Sequence, residues 1–351
     1  MMMYVAETLL YVSLSFLTGL FILEAVPPSR KPVIPVKREW IIGSTAAVMI
    51  LSFIPLVPLI IRLSDTAGFS SAITTVLLDF TAGQSWVAVW ISALLIVVIT
   101  AVSRNRAERV WPNFFLLTAL FFSFSWGSHP EAVSPLIGAV YHLFHLAALH
   151  SWTGILLVVA FFSSSRENWS RFLSWFTPVA MLCVVTAGVT GYLMADMMTG
   201  DFSAANAATT SYGHLLLLKL VFFIPVFYFA FANAFLIKRK LKDHRYSPFT
   251  MIRVEAIFLS VVFAVTSVLS KTAPPDPSRP MMDEMVQNLT GINGFVVFSA
   301  QTEMLVFIVS FLMFSLLLLM SFYRSFPAFS SFIFGMGVTA SLYFSVLFSL
   351  S

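Results

Sequence analysis

Charge is scarce in this sequence: 10% of its 351 residues are Asp, Glu, Lys or Arg, against 59% that are hydrophobic. Soluble domains carry about a quarter charged residues, so a water-soluble fold could not hide this much apolar side chain. Cysteine is nearly absent. Cys183 stands alone, which excludes an internal disulfide and any cage of cysteine thiolates. There is no Gly-rich phosphate loop, no Walker motif, and no cytoplasmic segment long enough to hold an ATP-driven domain. No constellation of catalytic side chains stands out, and the chain is expected not to be an enzyme.

What the chain has is long apolar runs near the ~20 residues needed to cross ~30 Å of hydrocarbon. Backbone groups inside lipid must be satisfied within each segment, and the alternating ten-residue strands of a barrel are missing. The sequence therefore predicts an all-α, polytopic helical bundle, one transmembrane domain over 1–351. About ten spans are expected. They run Tyr4–Val26, Trp40–Leu63, Thr75–Val102, Trp111–Trp126 and Pro135–Phe162, then Phe172–Ala195, Tyr212–Ile237, Thr250–Ser270, Thr302–Tyr323 and Pro327–Leu350. The first lacks the basic flank of a signal peptide, carries Glu7, and is read as a retained helix. Pro55 and Pro58 predict a kink or break in the second.

The net charge of +4 is a topology signal rather than a sign of a nucleic-acid partner. When alternate loops are assigned to opposite sides, sixteen Lys and Arg residues fall on one side. Only Arg62, Lys271 and Arg279 fall on the other, with Lys219 inside the seventh span. Basic loops stay in the cytoplasm, so both termini are expected outside it, in a bacterial cytoplasmic membrane. Acidic residues show the complement, ten of sixteen lying at or near the outer side. Such a face concentrates cations, although an unselected acidic bias accounts for it equally well. The longest segment without a helical pattern, 271–301, is an outer loop holding Pro274, Pro275, Pro277 and Pro280.

Three histidines, His142, His145 and His150, share the fifth span, and ionisable residues at membrane depth are costly unless used. At ~1.5 Å rise per residue they would stand about 10 Å deep, about 15 Å deep and beyond the midplane, a descending ladder on one broad face. The plainer alternative makes each ring a packing group bonded to a neighbouring helix. The sixth span ends in Met194, Asp196, Met197 and Met198, and the seventh opens with His214 and carries Lys219. Thioether and imidazole are soft or borderline ligands that suit copper, whereas Mg²⁺ and Ca²⁺ call for clustered oxygens. Met281, Met282, Asp283, Glu284 and Met285 in the outer loop repeat that chemistry, with His129 and Glu131 after the fourth span. They would capture metal outside, or else lie on the membrane as an amphipathic stretch. Lys219 is a candidate charge relay. Glu7, Asp79 and Glu303 are further candidate proton or counter-charge sites, although snorkelling to the interface accounts more simply for Glu7 and Glu303.

A run of short motifs then falls in a known order. His145-Leu-Ala-Ala and Trp152-Thr-Gly154 share a helix, and Arg171-Phe172 and Thr186-Ala-Gly188 follow. Tyr212-Gly213-His-Leu-Leu-Leu-Leu-Lys219, Arg253-Val-Glu255 and the stretch Ser270 to Pro275 complete it. This order resembles the copper resistance protein D family (CopD), which includes the membrane half of the bacterial copper importer YcnJ. The resemblance covers a core over 135–275, with the first four spans and the last two outside it. It implies movement of copper, as substrate, across the cytoplasmic membrane, with uptake the commoner direction, beside a separate copper-binding protein of the CopC type. A second class stays open: a haem-binding redox protein or copper reductase of cytochrome-b-like type, in which His145 or His150 pairs with His214 on haem. A third is a sensor or assembly factor that transports nothing.

Overall fold

In a computed structural model the chain is described over residues 1–163, 165, 167–199, 210–233, 249–273, 300–324 and 326–350. It divides into two compact units, Met1–Met198 and Thr199–Ser351.

Unit 1 begins with α1 (Met2–Ala25). After a 3-10 turn at Pro28–Arg30 comes α2 (Arg38–Phe53), then a 3-10 segment at Ile54–Leu56 and α3 (Val57–Ala67). The break falls where the two prolines predict it. Pro55 sits in the 3-10 segment and Pro58 in the first turn of α3, where a missing N–H costs nothing. The third expected span is two helices, α4 (Phe69–Leu78) and α5 (Thr81–Val102), interrupted at Asp79–Phe80, where Phe80 is extended. α4 is a ten-residue apolar helix packed on α3. The shared core there is Leu56, Ile60, Ala72 and Val76.

α6 (Arg106–Trp126) forms a hairpin with α5, joined across their ends by Asn113 donating to Thr100 at 3.1 Å. It begins at an Asn105 cap whose side chain accepts from the Glu108 N–H, while Glu108 accepts from the Arg104 N–H. A short surface helix, α7 (His129–Val133), leads into α8 (Ile137–Phe162), and α9 (Trp169–Thr199) completes the unit. α8 is the buried axis: Trp152, Ile155, Leu156, Val158, Val159 and Ala160 are each at most 1% exposed.

α1 packs along α8, and glycine sets how closely. A Cβ on Gly19 would collide with the Gly154 carbonyl, and one on Gly154 would come within 2.7 Å of the Gly19 nitrogen. Ser15 meets His150 at a sequence offset of 135, and Gly19 meets Gly154 at the same offset, so the two helices run in the same direction. Parallel neighbours of this kind need small residues where the backbones touch.

Unit 2 is α10 (Ser211–Phe231), α11 (Phe249–Leu269), α12 (Ala300–Arg324) and α13 (Ala328–Leu350). α12 and α13 form a hairpin, and α10 packs on both α11 and α13. Phe258 is the hub, with Phe229 and Phe332 ring centroids at 5.3 and 5.1 Å. Near it, at the α11 entrance, Asn233 donates to the Glu255 carboxylate, which is 1% exposed.

Each of the ten expected spans contains helix among its described residues. Among the described residues nine stretches are long and apolar enough to cross a membrane. The tenth, α6, is not among them; Arg109, Pro112 and Asn113 in its first half make it less apolar.

Candidate functional site

α8 presents its histidines to two different neighbours. His145 and His150 are five residues apart, which at about 100° per residue turns them about 140° from each other. His145, 8% exposed, faces α9. Its Nδ1 lies 3.0 Å from the Ala187 carbonyl oxygen and 3.2 Å from Thr190 Oγ1. A carbonyl only accepts, so Nδ1 carries the proton and Nε2 keeps its lone pair. Thr190 is consistent with that arrangement. Its hydroxyl donates to Thr186 O at 2.6 Å, leaving its oxygen to accept from the ring. Gly191 completes the cradle, since a Cβ there would press on His145 Cε1 at 3.1 Å. A histidine held through Nδ1 by a backbone carbonyl is the usual posture of a metal ligand that binds through Nε2.

His150, 1% exposed, faces α1 and α6 instead. Ser15 Oγ lies 2.7 Å from its Nδ1, Phe121 stacks on the ring at 5.8 Å with planes 15° apart, and Tyr11 lies at 6.2 Å. Tyr11 donates its hydroxyl to Glu7 Oε1 at 2.7 Å, and Glu7 is 6% exposed. The structure thus corrects the snorkelling reading of Glu7: the carboxylate is buried in the bundle and bonded to a phenol. Glu7, Tyr11, Ser15 and Gly19 recur every four residues, which is one stripe of a helix, and that stripe lies against α8. Sequence reasoning placed the function in 135–275 and offered only Glu7 from α1, without the contacts that α1 makes to α8. The spacing of polar and small residues in α1 was the available signal.

His142 is half-buried on α8, eight residues before His150. At the far end of α9, Met194, Met197 and Met198 are half-buried and Asp196 is exposed. His129 is exposed in α7, and Glu131 is half-buried there, its N–H held by the Ser128 cap. In unit 2, His214 Nδ1 meets Tyr343 OH at 3.1 Å, and Lys219 is half-buried on the same helix. Met281, Met282, Asp283 and Met285 lie outside the described residues. Among the described residues no three His, Cys, Asp or Glu side chains gather as a metal cage. His145 and His150 are held by different helices, α9 and α1.

Two family models match the chain. Copper resistance protein D matches 170–269, and the N-terminal domain of copper resistance protein D-like proteins matches 1–139. The chain belongs to the copper resistance protein D family. The match over 1–139 corrects the expectation that the first four spans lie outside the family and agrees with α1 packing on the histidine helix. The chain is also similar to the inner membrane protein YebZ of Escherichia coli strain K12. They are 27% identical over 204 residues, covering 53% of this chain and 68% of that protein. No solved structure matches. With its apolar spans, this makes the chain a multi-pass protein of the bacterial cytoplasmic membrane with a copper-related function.

Proposed function

We propose that this protein is a copper permease, not an enzyme, working in the direction of uptake. The observation that carries the reading is the His145 cradle, in which a backbone carbonyl fixes the proton on Nδ1 and leaves Nε2 to meet a borderline metal ion. The motif residues Thr186, Ala187 and Gly188, with Thr190 and Gly191 just beyond, form the α9 side of that cradle or flank it.

The proposed orientation puts both termini outside, following the bias of Lys and Arg. Copper from an extracytoplasmic protein of the CopC type collects at His129, Glu131 and the Met281, Met282, Asp283 and Met285 loop. It passes the α9 end at Met194, Asp196, Met197 and Met198, then meets His142, His145 and His150 in turn. Separate, weak stations suit passage better than one tight cage, which would trap the ion. His150, bonded through Nδ1 to Ser15 Oγ, is proposed as the deepest ligand, and Glu7 with Tyr11 as a proton or counter-charge site beside it. His214 with Tyr343 is proposed as a copper ligand of α10, and Lys219 as its charge relay.

Expression of the wild-type protein is expected to raise cell copper, read by elemental analysis. The His142→Ala, His145→Ala double variant, present in the membrane at equal level, should not. Equal accumulation by both would refute the path. The purified protein should show no Soret band; one would favour the haem reading.

A further inference from the structure

The other end of α1 holds a second constructed site that the copper path does not use. A cavity of about 320 Å³ opens where α1 ends and α6 begins, lined by Glu24, Lys31, Arg106 and Arg109 with Pro32 and Val36 among its apolar residues. Three cations face one carboxylate. Glu24 and Arg109 form a buried ion pair, with Arg109 Nε 3.0 Å from Glu24 Oε1. Lys31 Nζ donates to Leu23 O, and Arg106 donates to Val26 O at 3.2 Å. The two cations outside the ion pair therefore meet one carbonyl in the last turn of α1 and one just beyond it, and the negative end of the helix dipole offsets only part of their charge. Glu24 Oε2 is buried and accepts no hydrogen bond. The cavity thus offers excess positive charge, a lone acceptor and an apolar wall at a helix end.

We propose that this cavity binds the phosphodiester headgroup of an anionic phospholipid with a free hydroxyl, phosphatidylglycerol. The phosphate neutralises Lys31 and Arg106, a glycerol hydroxyl donates to Glu24 Oε2, and acyl chain runs along Pro32 and Val36. Basic pockets between transmembrane helices are known lipid headgroup sites, and the chemistry here adds a reason to select a hydroxyl-bearing one. The same phosphate chemistry could come from a soluble phosphate ester. The apolar wall favours the lipid.

The test is native mass spectrometry of the detergent-purified full chain titrated with phosphatidylglycerol, phosphatidylmethanol, phosphatidylcholine or glycerol 3-phosphate. The wild type should retain phosphatidylglycerol best. Phosphatidylmethanol, which keeps the charge without the hydroxyl, should bind more weakly, and phosphatidylcholine and glycerol 3-phosphate far more weakly. Lys31→Gln and Arg106→Gln should each weaken phosphatidylglycerol about fivefold. Circular dichroism checks that each variant is folded, and the comparison among probes on the wild type does not depend on them. Phosphatidylcholine or phosphatidylmethanol binding as well as phosphatidylglycerol, glycerol 3-phosphate matching it, or folded variants binding it undiminished would each overturn the proposal.

Discussion

α1 carries two buried carboxylates, Glu7 and Glu24, 6% and 3% exposed, and each is held by a different kind of side chain, a phenol and a guanidinium. Glu24 is clamped by the guanidinium of Arg109, with Lys31 and Arg106 lining the same cavity. Glu7 accepts from a neutral phenol, and its neighbour along the stripe, Ser15, bonds a histidine. Removing one member of a buried ion pair strands the other charge, whereas removing the phenol takes away a hydrogen bond. The first pair anchors α1 to α6. The second lies on the stripe of α1 that packs against α8. One helix thus ties down one end of unit 1 and covers the histidine helix at the other.

The sharpest way to break that contrast is Glu24→Ala. It strands the buried Arg109 guanidinium, and thermal unfolding should show a loss of about 3–5 kcal/mol. Tyr11→Phe should cost far less, about 1 kcal/mol, by removing a single hydrogen bond to Glu7. Its effect on copper accumulation should be larger than its effect on melting. A Tyr11 variant as unstable as the Glu24 one would erase the distinction.

The smallest expected effect is a pH dependence. Burial, with the nearby positive charge of Arg106, holds the Lys31 ammonium down to about 8, while Glu24 pulls the other way and Arg109 also lines the cavity. A lysine whose pKa is lowered on folding costs stability while it is charged, and that cost is relieved as pH rises from about 8 towards the unfolded value. The melting temperature of the wild type relative to Lys31→Gln should therefore climb across that window. A flat difference would show that Lys31 is not under this strain.

The helices were legible because apolar runs, proline and charge bias are local signals. Pro55 and Pro58 marked the break between α2 and α3, and all ten spans were placed. The interruption at Asp79–Phe80 was not, since an apolar run on both sides hides a two-residue gap. The histidines were found as residue types, but their partners were not. His145 meets Ala187 across 42 residues and Ser15 meets His150 across 135, contacts that no local pattern contains. The angular spread of the three rings was legible from helical periodicity, but which helix each ring meets was not. Glu7 stood as a proton site or, more simply, an interfacial residue, because nothing local in the sequence marks α8 as its cover.

The central claim is that His145 binds copper through Nε2. Copper K-edge X-ray absorption on the copper-loaded purified protein tests it directly, comparing wild type with His145→Ala. The account predicts an imidazole scattering shell in the wild type that is reduced or lost in the variant. An identical spectrum with undiminished copper content in both would contradict it.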